Sequence, residues 1–187
     1  SIFTVIGTLT DIDFRLLAGI CGALAVIAAL ISYRRGILRP TLTFAVLSLL
    51  TVAVLVIMVS SRQASEWDEF SHWLHASRYL FNVNLFPGPP GRPEIASCCA
   101  AYPYGWPLIN YLAQFFAGFS EALPALINVM LLGLFGGLVA TLLVPGKERP
   151  GFIVIALGTV GTTLLGPTFV SKLVFSSYAD NVTNVLV

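Results

Sequence analysis

The sequence has very few charged residues, and this scarcity narrows the class of protein before any motif is considered. Charged side chains make up 10% of the 187 residues, whereas hydrophobic side chains make up 57%. Soluble domains carry about a quarter of their residues as Asp, Glu, Lys or Arg. The composition therefore predicts an all-α, polytopic membrane protein. The net charge of +1 provides no basic surface, so a nucleic-acid partner is not expected.

Cysteine is also scarce, which argues against a disulfide framework. The three cysteines are Cys21, within an apolar run, and the adjacent pair Cys98 and Cys99. Neighbouring cysteines are a poor zinc pattern and rarely bond to each other, which leaves two small loop residues or a bond to another part of a longer chain. The first apolar run lacks a basic start and a cleavage site, so no signal peptide is predicted. Because the chain starts at Ser1 and stops within an apolar run, we expect a piece of a longer protein.

Long uncharged runs predict one membrane domain, residues 1–187, with about four transmembrane helices. Each run is close to the twenty residues that cross about 30 Å of hydrocarbon. Three arginines, Arg34, Arg35 and Arg39, separate the first two runs and place that turn in the cytoplasm by the positive-inside rule. An external loop over 61–104 and an external segment over 171–187 follow from this orientation. The predicted spans are 14–33, 41–60, 122–144 and 151–170.

A shorter apolar segment, 106–119, determines the rest of the topology. Its fourteen residues are too few for a comfortable span and are typical of an interfacial or re-entrant helix. If it does not cross, Lys147 and Arg149 fall in the cytoplasm like the arginine turn; if it crosses, they fall outside. We expect the first arrangement. In the next run, Gly133 and Gly137 form a GxxxG spacing that permits close helix contact.

Most of the polar chemistry lies in one stretch that starts at Ser65 and reads SEWDEFSHWLHASRY. Ser65 and Asp68 have capping-box spacing, which predicts a helix start here with acids in its first turn. Helical spacing then places Asp68, His72 and His75 on one face, with Glu69 beside it. The apolar residues flank that face or point away from it: Trp67, Phe70, Trp73 and Leu74.

Aromatic residues follow the proline- and glycine-rich link over 86–94. Tyr102, Tyr104, Trp106 and Tyr111 form a cluster of the kind found at the membrane–water interface. For the three tryptophans of the chain, an interfacial belt is a more common role than substrate stacking.

Three features in this order resemble the N-terminal part of the GT-C class of integral-membrane glycosyltransferases, such as protein O-mannosyltransferases and aminoarabinose transferases. WDEFSHW (67–73) is similar to their first-loop Asp-Glu motif, and YPYGWPLINYL (102–112) to the tyrosine–proline segment after it. Asp180, in SSYADN, is similar to the acidic residue of their second external loop. The resemblance covers roughly 41–187. The family has two adjacent prolines where Pro103 and Pro107 are separated, and its members are much longer.

The resemblance implies transfer of a sugar from a polyprenyl-phosphate-linked donor to an acceptor on the outer face of a bacterial inner or plasma membrane. Asp68, with Glu69 second, would be the general base that removes the acceptor proton. The leaving phosphate needs a cation, for which Arg78 and Lys172 are candidates. A divalent metal ion could serve instead, held by Asp68, Glu69 or Asp180 with His72. Tyr102 and Tyr104 begin an aromatic shelf suited to the isoprenoid chain.

Other interpretations stay open at this point. Charged residues just outside a span are often simple interfacial anchors, and Lys172 fits such a snorkelling role. The chain could be a non-enzymatic subunit of a membrane complex whose external helix binds a protein partner. A transporter fits less well, because the spans contain almost no ionisable residues. An enzyme should bring Asp68, Glu69 and Asp180 around one cavity open to lipid and water.

Overall fold

The structure, a computed structural model, describes residues 12–88, 93–95, 104–144 and 150–165. Within these ranges the chain is helical and contains no strand. A π-helical turn, Glu69–Trp73, precedes the fourth helix. The helices are α1 (Phe14–Arg34), α2 (Leu38–Leu50), α3 (Ala53–Val59), α4 (Leu74–Val83), α5 (Gly105–Ala117), α6 (Leu123–Leu143) and α7 (Phe152–Leu165).

Two of these helices are long and apolar enough to cross a membrane by themselves. They are α1 and α6, each of 21 residues, and the pair formed by α2 and α3 makes a third if it counts as one bent span. For the described residues the predicted all-helical class is thus confirmed, with two to three candidate membrane spans by length and composition. α7 has 14 residues within the described chain, so the fourth predicted span stays a prediction.

A sharp bend interrupts the predicted span 41–60. α2 and α3 meet at an angle of 62° around Thr51 and Val52. The Thr51 hydroxyl donates to the Ser48 carbonyl at 2.6 Å and also lies 3.1 Å from the Thr159 hydroxyl of α7. A threonine that bonds back to its own helix competes with the backbone ladder and bends the helix. The hydrogen bond to α7 holds the bend in place.

The chain divides into two compact units, of which the first comprises residues 1–28 and 63–123. Its core is built largely from aromatic rings. The Phe14 ring lies 5.0 Å from that of Phe86 and 5.8 Å from that of Tyr111, both edge to face. The Phe14 amide, which stands at the start of its helix, donates to the Asn84 carbonyl at 2.8 Å. The beginning of α1 is therefore fixed to the end of α4.

The second unit, residues 29–62 and 124–187, packs through small residues instead. A Cβ added at Gly133 would lie 2.7 Å from a Val52 methyl, and one added at Gly158 would lie 2.7 Å from the Gly136 carbonyl oxygen. These separations are too short for a real side chain, so the glycines allow α6 to approach its neighbours closely. The GxxxG spacing of Gly133 and Gly137 thus lies on a packed surface of α6.

Candidate functional site

The helix that carries the acidic motif begins with a carboxylate folded back on its own backbone. Glu69 Oε2 accepts from the Ser65 amide at 2.9 Å and from the Glu66 amide at 3.1 Å. Only 3% of Glu69 is exposed, and these bonds supply the partners that a buried carboxylate requires. The predicted capping box used Asp68; in the structure Glu69 makes the contact, and the Asp68 side chain makes no capping bond. The longer glutamate side chain reaches the amides from one residue further along.

A π-helical turn follows at once. The Leu74 amide bonds to the Glu69 carbonyl, five residues earlier, instead of following the four-residue step of an α-helix. Such a turn holds one additional residue, so it shifts the angular positions of the residues after it. The predicted face is changed accordingly: Asp68 and His75 are half-buried, whereas His72 is only 8% exposed. π-Helical turns inside helices occur frequently at functional sites.

His72 is buried beside the Trp73 ring. Its Nδ1 lies 2.8 Å from the Ser71 hydroxyl, and its ring centroid lies 4.8 Å from that of Trp73. Burial lowers the pKa of His72 below its usual value of 6.5, and the negative charge of Asp68 opposes this shift only in part. The imidazole is therefore neutral at pH 7, the form that accepts protons and binds metals.

Arg78 is exposed and lies on α4, C-terminal to Asp68 and Glu69. Its guanidinium carbon is 5.1 Å from the centroid of the Phe119 ring, within the range of a cation–π contact. A contact with a ring face orients the guanidinium without using its N–H donors. The arrangement leaves those donors available to an anion.

Tyr104 belongs to the aromatic core of the first unit. Its ring lies 5.0 Å from that of Phe86, edge to face, and burial raises the pKa of Tyr104 to about 12. The other predicted site residues, Tyr102, Lys172 and Asp180, lie outside the described residues. The structure thus brings together Asp68, Glu69 and His72 in one turn of the chain, and the convergence with Asp180 stays a prediction.

A metal ion also stays a prediction. Across the described ranges, no group of three His, Cys, Asp or Glu side chains is arranged to hold one. Asp68 and His72 supply two of the predicted ligands, and the third, Asp180, falls outside those ranges.

A set of buried polar side chains lies between α4 and α5 and was not predicted from the sequence. Ser77, Asn110 and Gln114 are fully buried. The Ser77 hydroxyl donates to the Trp73 carbonyl at 3.0 Å, and Asn110 Nδ2 lies 3.4 Å from that hydroxyl. Neither amide atom of Gln114 has a hydrogen-bond partner within the described ranges. The signal was present in the sequence, because two amides four residues apart in an otherwise apolar helix lie on one face.

Two of the tryptophans differ from the predicted interfacial belt. Trp73 and Trp106 are buried within the first unit, at 9% and 4% exposed, whereas Trp67 is 79% exposed and its interfacial position stays a prediction.

Comparison with family models, with characterised proteins and with solved structures finds no match to this chain.

Proposed function

We propose that the chain is a GT-C-type glycosyltransferase, or its N-terminal portion, with Asp68 as general base. It would move a sugar from a polyprenyl-phosphate-linked donor to an acceptor hydroxyl at the membrane surface. The main support for this proposal is that two adjacent acids, Asp68 and Glu69, differ in burial and in hydrogen bonding. Glu69 is buried on two backbone amides, whereas Asp68 makes no capping bond and is half-exposed beside a neutral imidazole. Asp68 is therefore the carboxylate available to a substrate.

The reaction requires one proton acceptor and one stabilised leaving group. The acceptor oxygen forms a bond to the anomeric carbon while its proton passes to the Asp68 carboxylate. The bond from the anomeric carbon to the phosphate oxygen breaks, and the electron pair leaves with the polyprenyl phosphate. Arg78, already oriented by Phe119, supports a role in stabilising that negative charge. Lys172 and a divalent ion on Asp68, His72 and Asp180 remain the alternative sources of positive charge.

Access to a lipid-linked donor is supported by the packing around α4. The start of α1, a helix long and apolar enough to span a membrane, is fixed to the end of α4 by the Phe14–Asn84 hydrogen bond. A helix at the end of a span lies where a lipid phosphate and a water-soluble acceptor can meet. The arginine-rich turn after α1 supports placing this face outside the cytoplasm.

The test is a transfer assay on the full chain in nanodiscs supplied with radiolabelled polyprenyl-phosphate sugars and acceptor. Asp68→Asn should reduce transfer by about 10²–10⁴-fold, the usual loss when a general base is removed. Glu66→Gln, a neighbouring acid in the same turn, is the matched control and should retain activity. Full transfer by a folded Asp68→Asn protein would exclude this mechanism.

The alternative, a non-enzymatic subunit of a membrane complex, is favoured by the exposure along α1. Among the described residues, Phe14 and Ala18 are the only ones of its 21 that are fully buried, and Leu17 and Cys21 pack partly against the same core. The large apolar side chains that stay exposed, such as Leu16, Leu24 and Leu30, would contact lipid tails or the spans of a protein partner. Site-specific cross-linking from Leu24, which is exposed, would give a discrete cross-linked protein product for a subunit and lipid adducts for an isolated enzyme.

A further inference from the structure

The outer side of the acidic turn is apolar, the reverse of what a water-facing helix shows. Trp67 is 79% exposed and Phe70 is 48% exposed. Between and beyond them, Glu69 and His72 are buried against the protein. Large aromatic rings exposed on a helix whose polar groups point inward indicate that the surroundings of the rings are not bulk water.

The position of this turn relative to α1 identifies those surroundings. Phe14 and Ala18, in the first two turns of α1, pack in one core with Tyr79 and Leu80 of α4. The charged pair of Asp13 and Arg15 lies at the same end of α1, with Arg15 Nε donating to Asp13 Oδ2 at 2.9 Å. An exposed ion pair at the end of an apolar span marks the boundary between hydrocarbon and water. The C-terminal half of α4 is therefore held at that boundary, and the acidic turn leads directly into the same helix.

The side chains available at the boundary have the chemistry of a lipid headgroup region. Trp concentrates there because its ring is apolar and its indole N–H still reaches a hydrogen-bond acceptor. Arg78, exposed further along α4, supplies a cation that a lipid phosphate can bind. Glu66 and Asp68 are half-buried near Trp67, so the face is not strongly cationic and does not require anionic lipid.

We propose that Trp67 and Phe70 insert into the headgroup–acyl boundary of the bilayer and anchor the acidic turn on the membrane surface. The partner is thus the lipid surface itself. This anchor does not depend on sugar transfer: it would hold Asp68 at a fixed depth in an enzyme and orient the same helix in a non-enzymatic subunit.

The experiment measures the depth of Trp67 in nanodiscs that each hold one full chain. Phosphatidylcholine brominated near the top of the acyl chain, near its end, or not at all quenches indole fluorescence according to depth, and aqueous iodide reports exposure to water. The signal of Trp67 is obtained as the difference between the wild-type protein and Trp67→Phe. Trp73→Phe, at a buried tryptophan, is the matched control.

We expect the larger part of the Trp67 signal to be lost with shallow bromine, a smaller part with deep bromine, and little with iodide. Trp73→Phe should leave the depth pattern unchanged. Quenching of Trp67 by iodide alone would overturn the proposal, because the ring would then face water. Protection from both bromine and iodide would also overturn it, because a protein surface would then cover the ring. A spin label at Trp67→Cys, in a chain whose three native cysteines are replaced by serine, gives an independent depth.

Discussion

The two units of this chain use opposite means of packing helices. The first buries aromatic rings together with polar groups, among them Glu69, His72, Ser77, Asn110 and Gln114. The second buries Val52, Val129 and the glycines of α6 against its helices, and its buried polar side chains, Ser48, Asn128 and Thr159, include no ionisable group. Burying a polar group costs free energy unless the group is hydrogen-bonded. Helices in lipid commonly pack closely through glycine and other small residues. The candidate site residues that the structure describes all lie in the first unit, whereas the helices of the second unit approach each other through glycine.

The largest effect is expected from filling the helix contact of the second unit. A Cβ at Gly136 would lie 2.5 Å from the Thr159 Cα, so Gly136→Leu must push α6 and α7 apart. Overpacking costs about 1–3 kcal/mol and occasionally more, and the clash with a backbone atom places this variant at the upper end of that range. Gly161→Leu is the matched control, because a Cβ there meets nothing within 4 Å. Unfolding in a detergent titration should show a large loss for the first variant and a change within about 0.5 kcal/mol for the second. Equal effects would show that the second unit is not glycine-packed.

Loss of the Glu69 cap should produce the next largest effect, in the first unit. Glu69→Ala removes the acceptor of two backbone amides and should destabilise the protein by about 1–3 kcal/mol. Glu69→Gln keeps one acceptor oxygen and should retain part of that stability. Glu66→Ala, which replaces an acid three residues earlier in the chain, is the control. If Glu69→Ala left stability unchanged while abolishing transfer, Glu69 would have a chemical role in place of a structural one.

These two regions were not equally predictable from sequence. Helix positions and the close contact at Gly133 and Gly137 follow from hydropathy and small-residue spacing, which report local geometry. The role of Glu69 did not follow, because the capping-box pattern specifies a residue spacing, whereas the longer glutamate side chain reaches the Ser65 and Glu66 amides from one residue further along. The π-helical turn leaves no local signal in the residue pattern either. The burial of Trp73 and Trp106 was missed because tryptophan is common both at the membrane interface and in protein cores.

Gln114 provides a sharper test of the polar core, with an effect of opposite sign. Both amide atoms are fully buried and have no hydrogen-bond partner among the residues that the structure describes, so within that part of the chain their desolvation is uncompensated. Gln114→Leu, of similar volume, should therefore raise stability by about 1–2 kcal/mol. Asn110→Leu is the comparison, because it removes the contact with the Ser77 hydroxyl and should not stabilise the protein. Destabilisation by Gln114→Leu would mean that the amide binds a group within the polar core.

The smallest expected effect is the dependence of stability on pH through His72. Because burial lowers the pKa of folded His72, the unfolded chain takes up a proton first as the pH falls below about 6.5. The folded state therefore loses stability on acidification from pH 7, until the pH passes the lower pKa of the folded protein. The difference in melting temperature between the wild-type protein and His72→Gln should be constant above pH 7 and change in favour of the variant below pH 6.5. In an Asp68→Asn background the loss should extend to lower pH, because Asp68 raises the pKa of His72. If the wild-type protein instead gained stability relative to His72→Gln on acidification, His72 would be charged in the folded protein. The interpretation of His72 as a neutral imidazole beside Asp68 would then be wrong.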